Sequence, residues 1–486
     1  MTAHEEGIVE GKPAATLKRA MGFRDLILFY LVTGFSLRWI AQAAAAGPSS
    51  VIIWIIGALA FYVPLMFTVL ELSSRYPEEG GLYAWTRRAF GEFPGYLSGY
   101  LYWSSNLPYF PSLFYFTAAN ALFIFGHRYD ALQSSQSYFI IFSIIALAIA
   151  VGLNVVGLNI GKWLHNVGAI GLWVPGIVLV GMGIAAAMLY GSATPFTTHA
   201  FIPSTHLKDI IFWSTIAFSL SGLESASMLG DEIEDARRNI PRALLIAGVL
   251  ITILYIASTV AMMLALPPQE IQNMQGIIHA ITLVATKLGI PWIAAGIALL
   301  ITFGGLGQAG AWFAAAGRLP FVIGIDKRLP PVFAKVHPKW GTPYVSLLVQ
   351  AGIAAVFIFA GQAGTSVVGA YNVLVSMSVI AFFIPYLLMF AAMIKLQSQP
   401  AGPEVIRVPG GTPVAIALAA VGFTTTTISI GLAMLPADDE PNKLLAVIKI
   451  VGLSAAMIAV GVGLYVAGGA GKSNDRANDN THSRAE

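Results

Sequence analysis

Residues 137–158 read SYFIIFSIIALAIAVGLNVVGL, a run without a single charged side chain. A bilayer core about 30 Å thick is crossed by roughly 20 apolar residues in a helix, and lipid offers no partner to open backbone groups. The run therefore predicts a transmembrane helix. Together with eleven similar runs it predicts an all-α polytopic membrane protein with about 12 transmembrane helices, at residues 26–46, 51–73, 96–125, 137–158, 167–190, 209–230, 241–266, 290–316, 343–361, 367–394, 412–434 and 443–469.

The composition agrees with a lipid bilayer as the main solvent. Of 486 residues, 57% are hydrophobic and 10% are charged, whereas soluble domains carry about 25% charged residues. A net charge of +3 gives no reason to expect a nucleic-acid partner. The chain has no Cys and shows no HExxH, P-loop or nucleophile-elbow motif, so we predict no metal site, no cofactor and no enzymatic centre.

The basic residues predict how the chain is oriented. Most of the 27 Lys and Arg residues fall in the termini and in loops on the same side as the termini. Loops on the opposite side hold only Arg128, Lys208, Lys287 and Lys443. The positive-inside rule then places both termini in the cytoplasm, in a bacterial inner membrane. No removable signal peptide is expected before residue 26.

Two of the predicted spans carry Gly and small polar residues inside an apolar run, the mark of a helix that unwinds around a solute. The first span contains Thr33-Gly34-Phe35-Ser36-Leu37-Arg38, and the sixth contains Ser219-Leu220-Ser221-Gly222-Leu223-Glu224-Ser225. Each begins a possible five-helix unit. We therefore predict an N-terminal segment at 1–25, inverted repeats at 26–190 and 209–395, two additional helices at 412–470, and a disordered tail at 471–486.

A charged residue accompanies each interruption, at a depth where charge is costly. Arg38 and Glu224 could pair with each other and hold the two spans together. Alternatively, Arg38 faces an internal cavity and binds a carboxylate, while Glu224 carries a proton or gates the cycle. Asn106, among aromatic residues of the third span, either lines that cavity or packs in the bundle. His165 and Lys449 are interpreted as structural.

Three loop motifs resemble those of the amino acid–polyamine–organocation (APC) permeases. They are ELSSRYPEEGGLYAWTRRAFG at 71–91, GLESASMLGDEIEDARRNIPRA at 222–243 and GRLPFVIGIDKRLPPVFAKVHPKWGTP at 317–343. The resemblance, over about residues 22–470, implies a five-plus-five inverted-repeat core with discontinuous helices 1 and 6 that works by alternating access. It also implies substrate-binding positions at Thr33, Gly34, Phe35, Ser36, Phe218, Ser219, Leu220, Ser221 and Gly222.

The local motifs resemble most closely the arginine–agmatine and glutamate–GABA type antiporters. Their GxES motif corresponds to Gly222-Leu223-Glu224-Ser225, and two aromatic gates correspond to Phe218 and Trp312. A packing role for Trp312 remains an alternative. Where similar permeases read GxG, this chain reads TGFSLRW at 33–39, and Arg38 argues against a simple cationic solute. No Ser or Thr occurs at 305–313 (GLGQAGAWF), so exchange or proton coupling is favoured over sodium.

The charged loops have a simpler interpretation than solute binding. Residues 77–81 are expected to form a tight turn between spans. An interfacial ion network is expected to close the inner gate, and its members are Asp231, Glu232, Glu234, Arg237, Arg238 and Arg242.

The sequence therefore predicts a secondary transporter of amino acids or closely related small solutes, and no enzyme. A polyamine or cationic amino acid carrier is one alternative, and a non-transporting membrane nutrient sensor is another. The identity of the solute, the part played by protons and the oligomeric state are left open.

Overall fold

The structure, a computed structural model, describes residues 19–203, 207–271, 274–326, 328–362, 367–435, 447–448, 451–452 and 454–468. Most of the predicted N-terminal segment 1–25, the tail 471–486 and Lys449 lie outside these ranges.

Helices make up nearly all regular structure in the described part of the chain. In order they are α1 (Phe23–Gly34), α2 (Leu37–Ala45), α3 (Ser49–Arg75), α4 (Leu82–Phe90), α5 (Glu92–Ala121), α6 (Gln136–Val156), α7 (Leu158–Tyr190), α8 (Leu207–Ser219), α9 (Ala236–Ala265), α10 (Gly276–Lys287), α11 (Ile293–Ile325), α12 (Tyr344–Gln362), α13 (Val367–Leu396), α14 (Gly411–Ala433) and α15 (Ser454–Gly468).

The all-α membrane architecture is confirmed. Within the described ranges, each of the twelve predicted segments overlaps a helix, and nine helical segments are long and apolar enough to cross a membrane. Two helices were not predicted. Helix α10 is apolar but has only 12 residues. Helix α4 has 9 residues and carries Arg87 and Arg88 in its last turn. Both are too short for the length criterion of a span.

The bundle is built around α11, which packs against α5 and α7, while α5 also packs against α13 and α7 against α9. Large apolar side chains such as Ile145, Met188 and Val356 are exposed on the outside. Exposure of these apolar surfaces to water would be energetically unfavourable, whereas contact with lipid is not. They therefore form the surface that contacts the bilayer.

Both predicted interruptions are present. Between α1 and α2, Phe35 and Ser36 are extended, with φ of −121° and −140°. Helix α8 ends at Ser219, Gly222 has a φ of +114°, and a 3₁₀ segment follows at Ser225–Glu232. We name residues 33–36, which comprise the last two residues of α1 and the extended pair, the first break, and residues 220–224 the second break. The division into inverted repeats at 26–190 and 209–395 stays a prediction.

Candidate functional site

The two breaks lie against each other in the centre of the bundle. The Thr33 and Ser225 hydroxyls are hydrogen-bonded at 2.9 Å. A β-carbon added to Gly222 would lie 3.0 Å from the Thr33 carbonyl oxygen and 3.2 Å from the Gly34 α-carbon. Only glycine combines this approach with a positive φ at low cost. The sequence interruptions therefore mark one place in the fold.

Gly222→Ala is expected to destabilise the protein and to abolish its function. The positive φ costs about 1–3 kcal/mol for a residue with a side chain, and overlap with the first break adds about 1–3 kcal/mol. Gly289→Ala is the matched control, because Gly289 has a φ of +74° but open space around it. Thermal denaturation in detergent should show a much larger loss for Gly222→Ala; equal losses would contradict the close contact.

Gln308 of α11 fixes the shape of the first break. Its side-chain Nε2 donates to the carbonyl oxygens of Val32 at 2.9 Å and Phe35 at 2.8 Å. Its Oε1 accepts from the Ser36 hydroxyl at 3.3 Å. The backbone groups freed by unwinding thus find a partner inside the protein, as they must in a bilayer. The sequence interpretation of residues 305–313 looked only for hydroxyl ligands and missed this residue.

Tyr255 of α9 connects the two breaks through one phenol oxygen. The oxygen accepts the Ser36 amide N–H at 2.8 Å and lies within donating distance of the carbonyl oxygens of Ser219, at 3.2 Å, and Gly34, at 3.4 Å. The ring stacks on Trp54 at 4.5 Å. A lone Tyr in an apolar helix carries no sequence signal for such a role, so Tyr255 was not predicted.

A small cavity lies between the breaks. It includes eight of the predicted site residues and four others: Thr33, Gly34, Ser36, Asn106, Phe218, Ser219, Ser221 and Trp312, with Trp39, Tyr109, Tyr255 and Phe382. Its volume of about 20 Å³ holds about one water molecule. The walls must therefore move before a larger solute fits.

Aromatic side chains close the cavity. Phe218 contacts Trp39 and Phe382 edge-to-face, each with ring centroids 5.5 Å apart. Trp312 contacts Phe382 at 5.8 Å and Tyr109 at 5.9 Å. The predicted gating positions thus form one aromatic cluster, and rotation of these rings would enlarge the cavity.

Five of the predicted site residues do not line the cavity, and three of these, Phe35, Leu220 and Gly222, carry no charge. Phe35 packs against Tyr255 and Trp173, with ring centroids 4.8 and 5.6 Å away. Leu220 is fully buried in the apolar core, and Gly222 contacts the first break. These residues position the cavity walls.

Arg38 is completely buried and touches three cavity-lining side chains. Its Nε donates to the Ser36 hydroxyl at 3.2 Å, and its guanidinium lies 4.7 Å from the Tyr109 ring centre and 5.0 Å from that of Trp39. Its Nη1 donates to the Ser112 hydroxyl, whereas Nη2 has no partner among the described residues. The charge is therefore surrounded by neutral groups.

Glu224 holds the second break instead of pairing with Arg38. Its carboxylate accepts the Tyr102 hydroxyl at 2.5 Å and the Gly222 amide at 3.1 Å, and Tyr386 is a further hydrogen-bond partner. Within the described residues, neither Arg38 nor Glu224 forms an ion pair. The two charges therefore do not pair in this conformation: Glu224 is bonded to hydroxyl and amide groups, whereas Arg38 contacts hydroxyl groups and aromatic rings.

A protein-family comparison decides what kind of protein builds this site. The family model described as "Amino acid permease" matches residues 21–455, a range that includes both breaks and every helix around them. The chain belongs to the amino acid permease family.

Curated relatives resemble the permease over most of its length. An uncharacterized transporter of Legionella pneumophila is 27% identical over 88% of this chain and 92% of its own. A probable agmatine/putrescine antiporter of Lactococcus lactis is 24% identical over 88% and 90% of the two chains. A glutamate/gamma-aminobutyrate antiporter of the same organism is 22% identical over 79% and 77%.

One end of the permease carries a surface cavity, and we name this end the basic end. Four arginines, Arg19, Arg75, Arg88 and Arg237, line the cavity together with three acidic residues, Glu78, Asp231 and Asp235. The predicted ion network there differs from the observed one. Glu232 pairs with Arg318 of α11, and Arg237 pairs with Glu404. The 3₁₀ segment is thus bound to α11, and the first turn of α9 is bound to the loop after α13. The local charge pattern indicated neither contact.

Proposed function

We propose that this permease exchanges amino acids that carry a carboxylate, acidic or zwitterionic, across a bacterial inner membrane with both termini in the cytoplasm. Arg38 is the observation that carries the proposal. A buried guanidinium without a carboxylate costs several kcal/mol, and a site that keeps one beside its cavity favours an anionic group in the solute.

Two further features support a carboxylate-bearing solute. Trp312 lines the cavity, and its buried indole N–H has no acceptor among the described residues, so a second donor is available. Helix α2 begins at the first break, and the positive end of its dipole lies at Ser36–Arg38. Helix α8 ends at Ser219, where its carbonyl groups favour the ammonium group of the same solute.

Exchange is proposed because two of the relatives are described as antiporters. One of these relatives is named for amines and the other for amino acids with a carboxylate, and Arg38 favours the second kind of solute. A diamine would bring its positive ends towards a buried cation, where repulsion is strong because water is excluded. A polyamine carrier is therefore the weaker second candidate.

Counterflow in liposomes tests the proposal. Vesicles loaded with an unlabelled amino acid should take up labelled glutamate, gamma-aminobutyrate or a neutral amino acid. Vesicles loaded with agmatine or putrescine should take up little of the same labelled solutes. Vesicles without protein and vesicles without internal solute are the controls. Diamine exchange as fast as amino acid exchange would overturn the proposed substrate class. Labelling of inserted cysteines in vesicles of known sidedness tests the orientation.

A further inference from the structure

Glu79 is a buried carboxyl group for which the functional site has no use. It lies in the turn at residues 77–81, between α3 and α4, and is only 7% exposed. Neither of its carboxyl oxygens has a hydrogen-bond partner among the described residues. A buried carboxylate without a donor is costly, so the neutral, protonated form is favoured in this conformation.

The turn is pressed onto the 3₁₀ segment that follows the second break. A β-carbon on Gly230 would lie 2.2 Å from the Pro77 carbonyl oxygen, and the Ser227 hydroxyl lies directly beneath Gly81. Separation of the turn from this segment would therefore bring water to Glu79. Because residues 225–232 continue directly from the second break, such a movement would also reach the candidate site.

The charges around Glu79 come from two elements. The 3₁₀ segment contributes Glu232 and Asp231, and α11 contributes Arg318. Arg318 is already bound by Glu232 through two hydrogen bonds of 2.7 and 3.1 Å, and the Asp231 carboxylate accepts the Glu79 amide N–H. Of the carboxyl groups near Arg318, Glu232 thus takes the contact with its buried guanidinium, and Glu79 is left without a hydrogen-bond partner among the described residues.

The geometry points to Glu79 as a proton-binding site that is occupied when the basic end is closed and emptied when it opens. This inference rests on the proposed function only in treating the basic end as one gate of the permease. Protonation of Glu79 would stabilise the closed gate, because the neutral carboxyl group can be buried in the closed interface whereas the carboxylate requires water.

The sign of the pH dependence follows from linkage. Burial raises the pKa of Glu79 well above its usual value, Glu232 raises it further, and Arg318 partly offsets both. The closed conformation therefore binds the proton more tightly than an open, hydrated one. Closure is favoured at low pH and is lost as the pH rises through the pKa of the closed state, by up to about tenfold per pH unit.

The absence of cysteine from the chain makes a direct experiment possible. Ser227→Cys places a single thiol at a position that is 2% exposed, beneath the turn. A membrane-impermeant maleimide would be applied to the full-length protein in liposomes between pH 5 and pH 8. Rates would be divided by those of the unfolded protein at each pH, because the thiol itself reacts faster as it ionises.

We expect labelling of the Ser227→Cys protein to accelerate about tenfold or more with rising pH. Adding Glu79→Gln, which mimics the protonated side chain, should keep labelling at the low-pH rate throughout. Glu78→Gln is the matched control: its neighbouring carboxylate is exposed and paired with Arg88, and the pH response should survive. An unchanged response in Glu79→Gln, or no response in the parent, would overturn the proton site.

The labelling needs no solute, so its outcome is separate from that of the proposed function. Failure of counterflow with a normal pH response in labelling would remove the proposed substrate class alone. Normal counterflow with flat labelling would remove the proton site alone.

Discussion

Arg38→Gln is expected to reduce amino acid exchange by about 10- to 100-fold without lowering the stability of the protein. A hydrogen bond to a charged group contributes about 1.5–3 kcal/mol, and each 1.4 kcal/mol corresponds to a factor of ten. Gln keeps a polar side chain beside Ser36 and Ser112 but removes the buried charge. The quantities to measure are the counterflow rate in liposomes and the thermal denaturation midpoint in detergent.

The denaturation midpoint of Arg38→Gln distinguishes a solute-binding role of Arg38 from a structural one. In the structure Arg38 is surrounded by hydroxyl groups and aromatic rings, without a carboxylate within the described residues. Loss of an uncompensated charge should leave the denaturation midpoint unchanged or raise it. A large fall in the midpoint would show that the guanidinium supports the fold. Unchanged exchange and unchanged solute preference would remove Arg38 from the site.

Arg38→Lys provides a second control for the same prediction. Lys keeps the positive charge but lacks the planar fork that binds a carboxylate through two N–H groups. Partial activity is expected, between that of the parent and that of Arg38→Gln. Activity equal to the parent would mean that the solute needs only a nearby charge.

The sequence predicted the helices and both breaks because each depends on local information. An apolar run long enough to span the bilayer must become a helix, and the runs around residues 34 and 222 contain the small residues that allow unwinding. Their contact was also predictable once the two runs were compared. Eight of the predicted site residues line the cavity that results.

The partners of the breaks could not be predicted in this way. Gln308 and Tyr255 lie far along the chain from Ser36, and each stands in a mostly apolar stretch of its helix. Their roles arise from the packing of α9 and α11 against the first break. For the same reason Arg38 and Glu224, each of which stands beside one interruption in the sequence, have separate neighbours in the structure.

Two ion pairs near the basic end have the same geometry but differ in burial, and the difference in burial should decide how much each contributes to stability. Arg318 binds Glu232 through N–O distances of 2.7 and 3.1 Å, and Arg88 binds Glu78 through 2.8 and 3.1 Å. The side chains of the first pair are 0% and 4% exposed, and those of the second are 50% and 43% exposed. The protein thus contains the same two-bond guanidinium–carboxylate contact once in a buried and once in a solvent-exposed environment.

Arg318→Gln is therefore expected to reduce the free energy of unfolding by about 3–5 kcal/mol, because it leaves a buried carboxylate without its partner. Arg88→Gln should cost less than about 1 kcal/mol, since water and salt screen the exposed pair. Denaturant titration of both variants in the same mixed micelles makes the comparison, and added salt should weaken only the Arg88 effect. Equal losses in the two variants would mean that water reaches Arg318. The 3₁₀ segment that links the second break to the basic end would then be held by packing and by the backbone hydrogen bonds from Ala20 and Met21 to the Glu232 carbonyl.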